Sequence, residues 1–183
     1  MNRHPFAVLV LGLLLLAGCG STAAQPARTA EFNDADVMFL QMMIPHNAQG
    51  LELTRLAKSR ATNPTVRDLA AELETAQLAE TESMTGWLTQ WAQPTAMNSD
   101  PGAHDHHGGL HQTSPVEIAA LAKAPDSEFD TTFLNLMTGH QHNAVELTKS
   151  EIEGGLNPQA KDLANRIRET RTKDVSRMLS LIG

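Results

Sequence analysis

The chain has 183 residues, and its 21 acidic and 14 basic side chains leave a formal charge of −7. No basic stripe offsets that charge, which argues against a nucleic-acid partner. There is no tyrosine and few other aromatics, while Ala and Leu are abundant, so an all-helical domain is favoured over a β-sandwich. The single cysteine, Cys19, leaves no internal disulfide and no thiolate cluster, so any metal site must draw on His, Met or carboxylate.

Arg3 and His4 precede an apolar run from Phe6 to Ala17 that ends Leu16-Ala17-Gly18-Cys19. The run is too short to span a bilayer and has the charged-then-apolar layout of a signal peptide. The residues before Cys19 resemble a bacterial lipobox. That resemblance implies that residues 1–18 are removed and that Cys19 is lipidated. The chain would then be held at the cell membrane on its extracytoplasmic face, with the acyl chains as its membrane partner. Residues 19–31, with their Gly, Ser, Thr, Ala, Gln and Pro, read as a flexible tether.

Residues 32–183 read as one domain. Val37, Phe39, Leu40, Met43, Ile44, Leu51, Leu53 and Leu56 recur at helical spacing and predict a helix over 34–61, capped by Asn33 or Asp34. Pro45 lies inside it, and a kink or looser turn is expected there. Asn63-Pro64 is a turn. A second helix is predicted from Val66 to about Trp91, with Leu69, Ala70, Leu73, Ala76, Gln77, Met84, Trp87 and Leu88 facing inward. Residues 93–114 form a linker rich in Pro, Gly, Ser and His. A short helix from Pro115 to Ala124 follows, capped by Ser114. Two more helices are predicted at about Ser127–Glu153 and Pro158–Leu181.

The chain repeats itself at an offset of 94 residues. Asp36-x-x-Phe39-Leu40-x-x-Met43-x-x-His46 matches Asp130-x-x-Phe133-Leu134-x-x-Met137-x-x-His140. Glu52-Leu53-Thr54, Asn63-Pro64 and Asp68-Leu69-Ala70 have their counterparts too. Gly139 stands opposite Pro45, so both copies carry a helix-weakening residue just before the His. Two copies of one hairpin predict a four-helix up-down bundle with a pseudo-twofold axis. The axis places the first and third long helices, and the two Met-x-x-His segments, together.

Met43 with His46, and Met137 with His140, share a helix face at this spacing. Thioether plus imidazole suits copper. The same residues also suit plain core packing, where Met at helical spacing is common. His142 adds an imidazole, turned away from His140. Asp36 and Asp130, at the starts of the same helices, are candidate ligands or would orient an imidazole. The linker run His104-Asp105-His106-His107-Gly108-Gly109-Leu110-His111 is a separate candidate for loose divalent-metal binding. Glu52 and Glu146 are expected to be exposed or paired with Arg55 and Lys149. No His-Glu-x-x-His, Glu-x-x-His, Gly-x-Ser-x-Gly or phosphate loop is present, so an enzyme is not expected.

The segments Phe39-Leu40-x-Met42-Met43-Ile44-Pro45-His46 and Phe133-Leu134-x-Leu136-Met137-x-x-His140 resemble the two signatures of the domain of unknown function 305 family, over residues 31–182. The resemblance implies a ferritin-like four-helix bundle and, for some members, copper binding through His and Met in the bacterial envelope. The family pattern has a His-His pair followed by a Met six residues on. Here the pairs read His46-Asn47 and His140-Gln141, and the later positions are Leu53 and Leu147. Two readings follow. One is an anchored, non-enzymatic copper-binding protein. The other is a structural lipoprotein that kept the fold, lost the metal and docks another envelope protein.

Overall fold

The computed structural model describes residues 31–96 and 113–182. Cys19, His104, His106, His107 and His111 lie outside the described residues. Among the described residues five helices run in order: α1 Asp34–Arg60, α2 Pro64–Gln90, α3 Pro115–Lys123, α4 Asp126–Gly154 and α5 Pro158–Ile182. No strand occurs among the described residues, and no described helix is long and apolar enough to cross a membrane.

Local chemistry sets the helix ends. Asn33 and Asp36 form a reciprocal capping box, with Asp36 N donating to Asn33 Oδ1 (3.1 Å) and Asn33 N to Asp36 Oδ2 (2.6 Å). Asn63 and Asn157 cap α2 and α5, and each is followed by a proline that needs no helical donor. Ser114 and Glu117 form a second capping box that starts α3. The helices α1 and α4 run without interruption through Pro45 and Gly139, so the looser turn expected there is absent. Burial of the surrounding apolar residues offsets the single hydrogen bond that Pro45 forfeits.

In the bundle α1 packs on α2, α4 on α5, and α1 on α4, while α3 lies across α1 and α4. The N-terminal half of α1 (Phe39, Leu40, Met43) meets the C-terminal half of α4 (Ala144, Leu147), so these central helices are antiparallel. Arg60 ties α3 down. Its guanidinium donates to the carbonyls of Ala122 (2.8 Å) and Ala124 (2.6 Å) and pairs with Asp126 (2.7 Å).

The apolar core is in two halves. One is built on Leu53, Leu69, Phe129, Phe133, Met137 and Met178. The other is built on Phe39, Leu40, Met43, Met84, Leu88 and Ile167. Between them sits a buried polar layer of His46, Asn47 and Gln77 from the first copy, and His140, Gln141 and Arg171 from the second. These are twin positions, again 94 residues apart. Burying such groups costs several kcal/mol unless they find partners, so this layer is where the fold departs from simple packing.

Asp36 and Asp130 are not in that layer. Asp36 accepts from the backbone of Leu156 (3.1 Å) and Asn157 (2.9 Å), in the turn of the other hairpin. Asp130 returns the favour, accepting from Thr62 N (3.0 Å), Asn63 N (2.8 Å) and the Thr62 hydroxyl (2.7 Å). Each hairpin's turn is thus closed by the other's carboxylate, through charge-assisted bonds worth about 1.5–3 kcal/mol each.

Candidate metal centre

At mid-height of the bundle, His46 and His140 lie face to face. Their ring centroids are 3.9 Å apart and their planes differ by 5°. Each is only 1 % exposed. The antiparallel crossing of α1 and α4 produces this contact, because twin residues on a pseudo-twofold axis meet each other. Met43 and Met137 are fully buried, each one helical turn from its own His, about 4.5 Å along the helix axis. They belong to opposite halves of the core, so one thioether lies on each side of the imidazole pair.

His140 is anchored on one edge. Its Nδ1 is 2.9 Å from the hydroxyl of Thr113, the residue before the α3 cap. Its other edge presses on α1, where a Cβ added at Gly50 would stand 2.7 Å from His140 Nε2 and 2.7 Å from Gln77 Nε2. Gly50 is therefore what lets the imidazole and the amide reach the layer. The Gly50→Ala variant is expected to push His140 and Gln77 aside and to lose about 1–3 kcal/mol, despite the better helix propensity of Ala. Denaturant unfolding of the variant checks this, and a gain in stability would contradict the close approach.

Arg171 supplies the charge of the layer. It is 1 % exposed and pairs with Glu80 (2.7 Å) and, at 3.8 Å, with Asp174. Asn47 Nδ2 also donates to Glu80 (3.1 Å). Burial pushes the Glu80 carboxyl above its ordinary range, and the attraction of Arg171 only partly opposes this. Asp174 is raised for the same first reason. His140 is held well below its ordinary value of 6.5 by burial, then by His46 and by Arg171, so its imidazole is neutral.

Several buried polar atoms here have no hydrogen-bond partner: His140 Nε2 and both amide atoms of Gln77 and of Gln141. Each such atom costs about 1–3 kcal/mol. The His140 lone pair sits on Nε2 when Nδ1 donates to Thr113, and on Nδ1, beside Thr113, when the Thr113 hydroxyl donates to it; a metal takes the unprotonated nitrogen. Two imidazoles and two thioethers form a soft donor set that suits Cu(I) in chemical type. The rings as they stand are parallel, and an imidazole lone pair lies in its ring plane. A shared ion would therefore require a ring to turn. Among the described residues no group of three or more His, Cys, Asp or Glu is placed to hold a metal.

The remaining candidates fall elsewhere. Asp36 is ten residues before His46, roughly 15 Å along α1, and both duplicated aspartates are committed to turn amides. Neither reaches the imidazoles, which corrects their reading as ligands. His142 is exposed and faces away from His140. Glu146 pairs with Lys149 (2.6 Å) and Glu52 is exposed, both as expected, while Arg55 turns to Glu74 (3.7 Å). Sequence reading placed Gln77 only among inward-facing residues, and it missed Arg171, Glu80, Gly50 and Thr113. The available signal was the repeat itself: positions 77 and 171, and 80 and 174, are polar twins.

Comparison with known proteins bears on this geometry. The family model for DUF305, a domain of unknown function, matches residues 36–182. A crystal structure of a DUF305 fragment from Deinococcus radiodurans is 28 % identical with a TM-score of 0.72, covering 82 % of this chain and 97 % of that one. A DUF305 protein from Streptomyces coelicolor is 25 % identical with a TM-score of 0.74, covering 84 % of this chain and 92 % of its own. CopM in its Cu(I)-bound form is 24 % identical with a TM-score of 0.65, covering 80 % of this chain and 94 % of CopM, a likeness of fold. No curated protein matches the chain.

Proposed function

Since the chain belongs to the DUF305 family, we propose that it is a non-enzymatic metal-handling protein of the cell envelope. It takes copper, as Cu(I), between His46 and His140 with Met43 and Met137 as thioether donors. It buffers the ion or hands it on. The lipobox-like segment supports anchoring through a lipid at Cys19 on the extracytoplasmic side. One observation carries the reading: two buried imidazoles in contact, with a buried thioether on either side. That CopM, of the same fold, has been crystallised with Cu(I), Cu(II) and silver supports it. The His104–His111 run would serve as an accessory site for Cu(II).

The second reading, a lipoprotein that docks an envelope partner and binds no metal, has its own support. The rings are parallel rather than convergent, and His140 already has Thr113. Titration with Cu(I) against a competing chelator separates the two. Tight binding is expected in the unaltered protein, with a loss of at least a hundredfold in the His46→Ala/His140→Ala variant. Deleting residues 104–111 should leave Cu(I) affinity unchanged. Binding no tighter than in the double variant would leave the docking reading in its place.

A further inference from the structure

His46 and His140 are each only 1 % exposed, so a ligand reaching them needs a route. A cavity of about 610 Å³ lies between α3 and α4, and His140 is in its wall. Thr113, Leu121, Leu136, Gly139 and Asn143 complete the wall near the imidazole. The helix α3 belongs to the connection between the hairpins, immediately before α4.

We propose that this α3–α4 cavity is the port through which small ligands, and a Cu(I) ion in particular, reach the histidine pair, with the Thr113 hydroxyl as the group they must displace. The proposal rests on the metal-handling reading for its physiological ligand, but not for its geometry. Three features argue for it. The cavity has a mixed lining, in which Thr113, Asn143, Asn135, Thr132 and Glu117 supply the polar groups along which a hydrated or exchanging ion could pass. The edge of His140 nearest the port carries Nδ1, whose neighbour is one rotatable hydroxyl at 2.9 Å rather than a carboxylate or a backbone group. Finally, Gly139 leaves the floor open, since a Cβ added there would meet nothing within 4 Å. Its twin in the first copy is Pro45, a bulkier residue. The cavity therefore gives an approach to the imidazole pair through His140.

The Gly139→Leu variant tests this. Leucine favours the helix and has room, so the variant is expected to fold. Ala119→Leu, in the separate groove between α1 and α3, is the control. The first readout needs no metal. Diethyl pyrocarbonate acylates neutral imidazole, releasing carbon dioxide and ethanol, and mass spectrometry reports each histidine. Exposed His142 is the internal reference. His140 is expected to react measurably in the unaltered protein and in Ala119→Leu, and about tenfold more slowly in Gly139→Leu, with His142 unchanged. Equal His140 labelling in all three, or none in any, overturns the port.

The second readout is the rate of Cu(I) uptake from a chelator. Gly139→Leu is expected to slow it about tenfold while leaving equilibrium affinity within about twofold. An unchanged rate, or a lost affinity in a folded variant, would also overturn the proposal. If the unaltered protein takes up no Cu(I), the metal reading fails and the labelling alone decides the port.

Discussion

Replacing Arg171 with methionine is expected to cost about 3–5 kcal/mol of stability, the loss typical of breaking a buried ion pair by removing one partner. Arg171 is 1 % exposed and satisfies Glu80 at 2.7 Å. Without it, Glu80 and Asn47 would face each other in a layer that water does not reach freely. Burial already raises Glu80's affinity for a proton, and the guanidinium is the largest force acting against that. The second half of the prediction distinguishes a network from a single contact. Adding Glu80→Gln to Arg171→Met removes the stranded carboxyl and should recover at least half of the loss. Urea unfolding of the two single variants and the double gives the coupling directly. A single-variant cost below about 1 kcal/mol would mean that the pair is solvated and the layer is not a structural unit.

The second large effect concerns pH at the far end of α4. Glu151 is fully buried, and neither of its carboxyl oxygens receives a hydrogen bond from a donor group. Its neighbour is Asp36, the carboxylate that closes the α4–α5 turn. Burial first, then the hydrogen bond and charge of Asp36, push Glu151 up to about 8, with Lys161 opposing weakly. Glu151 thus keeps its proton at neutrality and can share it with Asp36. In the unfolded chain the same group ionises near its ordinary value of 4.5. Between those two values the folded state holds one more proton than the unfolded state. The stabilisation from this proton is complete below about 4.5 and is lost as pH rises through about 8, at up to ~1.4 kcal/mol per pH unit. Glu151→Gln keeps a donor for Asp36 and cannot ionise. Thermal unfolding should find the variant close to the parent at pH 5 and clearly more stable at pH 9. Parallel curves across that range would show that Glu151 is ionised in the native protein.

Much of this was legible before the structure, and the reason is the repeat. A gapless match at 94 residues implied two like hairpins, and two like hairpins must bury like faces against each other. The contact between His46 and His140 followed from that symmetry, as did the pairing of α1 with α4. The caps at Asn33, Ser114 and the Asn-Pro turns were readable because they depend on neighbours three residues away or fewer. The misreadings concern distance along the chain. Asp36 and Met43 share an angle on the helix, which suggested a shared site. An angle says nothing about what an aspartate meets 120 residues later in a turn of the other hairpin. Gln77 and Arg171 were obscured by their different letters, though they occupy one place in the repeat. Thr113 comes from the connection, where no pattern constrains the chain. Gly50 carries its meaning only through what crowds against it.

The stacked histidines also differ more than the repeat around them suggests. Exact twofold symmetry would make the two rings interchangeable, with one proton affinity and one order of attack by any reagent. Thr113 touches one ring, Gly50 lies against that ring while Ala144 stands at its twin place, and Arg171 replaces a second glutamine. These few unlike residues give the pair a polarity: a front nitrogen that meets arrivals and a back ring that receives them. A duplicated protein thereby acquires direction without a second kind of ligand, simply by letting its two halves drift apart at the axis they share.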